Sequence, residues 1–114
     1  MHELSLCSNL VAQLQQLADG YPQLRLVEVH LTVGPLAGVE PALLQHAFPV
    51  AAAGTVAAEA TLRMTVGTVQ IFCPRCQRQS EASANNLSCR YCHEWQTQLV
   101  SGDELILQRV EFEE

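Results

Sequence analysis

No lysine occurs in the sequence: its six basic residues are all arginine, and twelve acidic residues outnumber them for a net charge of −6. A balance of that sign repels phosphate backbones, so nucleic acid is not an expected partner. Also missing is any apolar run near the roughly 20 residues that a bilayer crossing needs, and no membrane span is expected. The opening Met1-His2-Glu3-Leu4-Ser5 lacks the basic stretch and apolar segment of a secretory signal. The expected compartment is therefore the reducing cytoplasm, where cysteines stay free. No internal repeat or low-complexity tract is present, although Ala51-Ala52-Ala53 and Ala57-Ala58 make one stretch bland.

What remains is a chain of 114 residues, 48% hydrophobic and only 16% charged. That is enough for one compact core and short enough that any appendage must bring its own staple. From Leu4 to Ala18, apolar Cys7, Leu10, Val11, Leu14, Leu17 and Ala18 recur at helical spacing, which predicts an amphipathic helix. Gly20 and Tyr21-Pro22 should stop it. Val27, Val29, Leu31 and Val33 alternate with Glu28, His30 and Thr32, the pattern of a half-buried strand, and Gly34-Pro35 closes it. Pro41 suits a first helical position, and Leu43, Leu44, Ala47, Phe48 and Ala51 form one stripe behind it. Pro49 should kink this second helix or end its regular part near Phe48. Alternation from Ala60 to Val66, a short run from Val69 to Phe72, and the Leu, Ile and Val of residues 104–112 predict further strands.

Helix, strand, helix, strand, metal module, strand is an α+β order. The expected fold is a small antiparallel or mixed three-stranded sheet with two helices and an inserted four-cysteine zinc-ribbon module. Residues 1–71 and 96–114 would form one core, and residues 72–95 the metal module.

Cys73-Pro-Arg-Cys76 and Cys89-Arg-Tyr-Cys92 are two C-x2-C pairs twelve residues apart. Each pair can present two thiolates from one tight turn, and two facing turns complete the tetrahedron that Zn(II) accepts. The segment between them is mostly polar and cannot build a core, so metal must supply the local folding free energy. Redox dithiol chemistry rests on a single C-x-x-C near a βαβ unit, which this pattern is not. Four thiolates can also hold iron, but they leave no open position for catalysis, and the site is taken as structural zinc. Between Phe72 and Trp95 three arginines meet two glutamates. Zn(II) with four thiolates adds two negative charges, leaving about −1, which disfavours the nucleic-acid use of zinc ribbons. His93 directly after the last thiolate is taken as a solvent-facing imidazole or one seated behind the thiolates, His30 and His46 as solvated rather than as ligands, and Cys7 as a small core residue.

A second metal site is readable at the chain start. The Met1 amine, the His2 backbone nitrogen and His2 Nδ1 can bind one ion through a five-membered and a six-membered ring, with three nitrogens nearly coplanar. Ni(II) and Cu(II) accept that tetragonal set, and Zn(II) gains nothing from it. Glu3 can complete the set through its backbone nitrogen or carboxylate; its ordinary role is to complement the dipole of the first helix. No nucleophile with a base and an orienting partner can be assembled from the four histidines, so a binding protein is expected rather than an enzyme. A zinc-ribbon module for protein or nucleic-acid interaction without nickel is the alternative.

Met1-His2-Glu3-Leu4-Ser5, then Gly38-Val39-Glu40-Pro41 leading into a helix with Ala47-Phe48, then the two cysteine pairs before a final strand, resemble the HypA/HybF hydrogenase nickel incorporation proteins over essentially the whole chain. The resemblance implies that His2 is the nickel ligand, assisted by Glu3 and the terminal nitrogens, and that Cys73, Cys76, Cys89 and Cys92 hold structural zinc. It implies delivery of Ni(II) to the large subunit precursor of [NiFe] hydrogenase, in concert with the GTPase HypB. A homo-oligomer stays open as a further arrangement. Family zinc pairs commonly run Cys-Pro-x-Cys-Gly; here Gln77 and His93 stand at the glycine places and Arg90 at the second proline's.

Overall fold

The computed structural model describes residues 2–114. Its elements are helices α1 (His2–Asp19) and α2 (Pro41–Ala52) and strands β1 (Arg25–Val33), β2 (Thr61–Val66), β3 (Val69–Cys73), β4 (Arg78–Ala82), β5 (Gln98–Ser101) and β6 (Leu105–Glu113). They form two three-stranded sheets, ordered β2-β1-β6 and β4-β3-β5. The α+β class with two helices and a four-cysteine module is thus as expected, and a second small sheet is added to it. Among the described residues no helix is long and apolar enough to cross a membrane.

The chain divides into two compact units. The first comprises residues 2–31, 39–64 and 107–114, the second residues 32–38 and 65–106. The segment 72–95, which contains β4, lies inside the second unit together with β3 and β5.

In the first unit, α1 packs on α2. Cys7, Leu10, Val11, Leu14 and Ala18 are buried on the expected face, but Leu17 is 41% exposed. Leu17 stands outside the buried face of the helix. Cys7 is fully buried with its thiol donating to the Leu44 carbonyl at 3.6 Å. Burial and then the nearby Glu3 charge push that thiol's ionisation up, which suits a core residue and not a ligand. Pro41 occupies the first turn of α2, and the Leu44 N–H reaches the Glu40 carbonyl at 3.0 Å. The helix does not end near Phe48: it continues through Pro49 to Ala52. A proline in the helix forfeits one hydrogen bond. Burial of Phe48 and Ala52 on either side of it, and the Ala53 N–H on the Pro49 carbonyl at 3.1 Å, hold the last turn. The Gln45 amide donates to the Leu62 carbonyl at 3.2 Å, tying α2 to β2.

In the second unit, β3 is the central strand, antiparallel to both neighbours, with Cys73 paired to Arg78 at the hairpin end. Gly34 N–H bonds the Glu104 carbonyl at 2.8 Å and Leu36 N–H the Gly102 carbonyl at 2.7 Å. The two backbones run so close that a Cβ on Gly34 would overlap the Gly102 carbonyl, and only glycine fits there.

Candidate metal centre

β3 delivers Cys73 at its C-terminal end, and residues 74–77 form the turn that returns the chain into β4. The first cysteine pair is therefore a β-hairpin loop. Its last residue, Gln77, has φ 57°, and its N–H closes the turn on the Cys73 carbonyl at 2.7 Å. The second pair repeats the device: His93 has φ 66° and donates to the Cys89 carbonyl at 3.0 Å, while the Cys89 N–H reaches the Glu94 carbonyl at 2.8 Å. Gln77 and His93 hold the places where glycine is commonest, so each turn requires a left-handed residue that lacks the residue best suited to it.

Left-handed φ costs an L-residue roughly 1–2 kcal/mol, of which glycine returns part through its greater freedom when unfolded. Gln77→Gly and His93→Gly should each stabilise the zinc-loaded protein by about 0.5–1 kcal/mol, seen as a higher thermal midpoint. A lower midpoint for both variants would contradict this account of the turns.

The two turns face each other. Cys73 Sγ lies 3.5 Å from Cys92 Sγ and Cys76 Sγ 3.6 Å from Cys89 Sγ. All four sulfurs are within 4.8 Å of one another. With Zn–S bonds of about 2.3 Å, a tetrahedral site has sulfurs about 3.8 Å apart, so the donor set fits Zn(II). Cys73 and Cys89 are buried, Cys76 and Cys92 half-buried, and all are free thiols. The Cys92 N–H, with help from that of Tyr91, lowers Cys89 to about 6. Burial, then hydrogen bonding to the other thiols, pushes Cys76 up to about 12. Four thiolates at such separations repel, and the opposite shifts of Cys89 and Cys76 are those of a cluster whose charge a cation must balance.

Contacts outside the sulfurs clasp the turns together. Arg75 in the first reaches Glu94 beyond the second at 3.5 Å, and the Arg78 guanidinium lies 4.8 Å from the Tyr91 ring centroid. Residue types alone gave no signal for these pairs. His93 is exposed, as expected.

At the other predicted site, α1 begins at His2, which is exposed. Met1, whose amine belongs to the expected nickel set, lies outside the described residues. The Glu3 carboxylate accepts the Glu40 N–H at 3.4 Å, bringing the segment before α2 to the first turn of α1, a contact that the sequence did not reveal. His46 is exposed. His30 departs from expectation: it is half-buried, 2.8 Å from Glu111 and 3.4 Å from Glu28. Period-two patterning placed it on a polar face, and only the pairing of β1 with β6 supplies the second carboxylate.

A two-helix α+β domain joined to a four-thiolate knuckle pair is the framework of a small metal-handling protein. A family model described as hydrogenase/urease nickel incorporation, metallochaperone, hypA, matches residues 1–112. The hydrogenase maturation factor HypA of Nitrosospira multiformis is 41% identical over 111 residues, covering 97% of this chain and 96% of that protein. The hydrogenase maturation factor HybF of Escherichia coli O157:H7 is 32% identical over 113 residues, covering 99% and 100%. The chain belongs to the HypA family of nickel-incorporation metallochaperones of hydrogenase maturation. A family of metal carriers agrees with the reading of a binding protein. The fold is likewise similar to the solution structure of the Ni metallochaperone HypA from Helicobacter pylori, with TM-score 0.70, 22% identity and coverage of 96% and 95%. A second HypA solution structure gives TM-score 0.75 at 23% identity, covering 97% and 95%.

Proposed function

We propose that this chain binds Ni(II) at its N-terminus through the Met1 amine, the His2 backbone nitrogen and the His2 imidazole, with Glu3 assisting, and delivers it during maturation of [NiFe] hydrogenase. The observation that carries the reading is the start of α1 at His2. The first four N–H groups of a helix have no partner within it, so the His2 and Glu3 nitrogens are not committed to the helix and remain available to a metal. The same helix end disfavours a cation through its dipole, which suits a carrier that must release its cargo. Zn(II) held by Cys73, Cys76, Cys89 and Cys92 is structural, fixing the second unit and leaving no open coordination position. The GTPase HypB and the hydrogenase large subunit precursor are the proposed partners, and the cytoplasm the proposed compartment.

Protons compete for the same nitrogens. Free α-amines and imidazoles take up protons at about pH 8 and about pH 6.5. Acid should therefore weaken nickel binding, with most of the loss between about pH 7.5 and about pH 6. Added salt should have little effect, whereas a phosphate-binding ribbon would respond steeply to it. Equilibrium dialysis of nickel against the zinc-loaded chain across that range tests the assignment. An affinity that does not change with pH would exclude these donors.

A further inference from the structure

On the β2-β1-β6 sheet, far from both proposed metal sites in sequence, Glu28 and His30 of β1 meet Glu111 of β6. One donor atom from each lies within 4.8 Å of the others. His30 Nε2 is 2.8 Å from Glu111 Oε2 and 3.4 Å from Glu28 Oε2. Donors around one ion at bond lengths of about 2.1 Å stand about 3.0–3.4 Å apart, so these side chains need little movement to share a cation. His30 and Glu28 are also more confined than ordinary surface groups, with 23% and 27% of their side chains exposed, and Glu111 closes the group from the more open side.

The neighbouring arginines do not use up the donors. Arg63 of β2 binds the other Glu28 oxygen, Oε1, at 2.9 Å. Its guanidinium holds that carboxylate in one orientation with Oε2 turned to His30. Arg109 stands 3.6 Å from Glu111 Oε2, outside hydrogen-bond range. Arg63 first, and then Glu111 through a hydrogen bond, keep Glu28 below the usual carboxylate range. Glu28 is thus ionised and offers a cation a charged oxygen.

We propose that Glu28, His30 and Glu111 form a third metal site, which takes a divalent first-row transition ion through one imidazole nitrogen and two carboxylate oxygens, with water in the remaining positions. Such a donor set is harder than four thiolates or a cage of nitrogens, and it accepts ions that neither of those selects. The site shares no residue with the N-terminal nickel assignment and stands or falls apart from it.

Mn(II) alone is the probe, because it favours oxygen-rich sites and does not displace zinc from thiolates. Titrated into the zinc-loaded full chain, Mn(II) should lose its free-ion paramagnetic resonance signal with one ion bound per chain. His30→Gln and Glu111→Gln should each raise the dissociation constant at least tenfold, while His2→Ala leaves it unchanged. Zinc content and circular dichroism establish that each variant is folded. Glu111→Gln, at the more exposed position, serves if His30→Gln does not fold. Absence of Mn(II) binding at millimolar concentration, or equal binding in the native chain and Glu111→Gln, overturns the proposal.

Discussion

Stoichiometric nickel binding should disappear both in His2→Ala and in a chain extended by several residues before Met1, with one zinc per chain retained in each. His2→Ala removes the imidazole that closes the six-membered ring. The extension converts the amine to an amide and breaks the five-membered ring instead. Losing an outer partner of a metal ligand already costs about 10–100-fold in affinity, and losing a bound donor should cost more than that upper figure. Equilibrium dialysis with metal analysis reads both variants directly. Any weak uptake at Glu28, His30 and Glu111 is recognised by its removal in His30→Gln. Nickel held at full occupancy by His2→Ala would end the N-terminal assignment.

Replacing Cys73 by serine should release zinc and unfold the second unit. Among its buried apolar residues are Val33, Val69 and Ile71, besides Cys73 and Cys89 themselves. A buried aliphatic side chain stabilises by about 1.5–3 kcal/mol. Structural zinc binding contributes about 10–16 kcal/mol at neutral pH, so the metal outweighs the small apolar core. Hydrogen exchange should show protection lost over residues 65–106 in Cys73→Ser, and over the same residues of the native chain after chelation. Helical circular dichroism should persist, since Leu14, Leu26, Leu44 and Phe48 are buried in the first unit independently of the sulfurs. Protection that survives complete zinc removal would show that the β4-β3-β5 sheet holds itself together.

The readable parts of this fold carry their signal locally. Helix α1 follows from apolar residues three and four apart, α2 from Pro41 and its stripe, and β1 from strict alternation. Strand β4 carries no such signal: Arg78-Gln-Ser-Glu-Ala82 is polar, with Ser80 its one buried residue. It is a strand because the cysteine turn folds it back onto β3, whose backbone groups need partners. β5 is likewise largely exposed and is set by its pairing to β3. The run of α2 through Pro49 was hidden for a related reason, as burial of Phe48 and Ala52 outweighs one missing hydrogen bond.

By itself the sequence determined the two cysteine turns as a candidate metal centre, the α+β order and the histidine at position two, because each depends on residue type at short spacing. The tertiary structure alone decided that the four sulfurs meet at 3.5–3.6 Å across the pairs, that Gly34 lies against Gly102, and that Glu111 comes to His30 across 81 residues of chain. Such meetings depend on strand pairing and backbone approach between distant segments, which no local periodicity encodes.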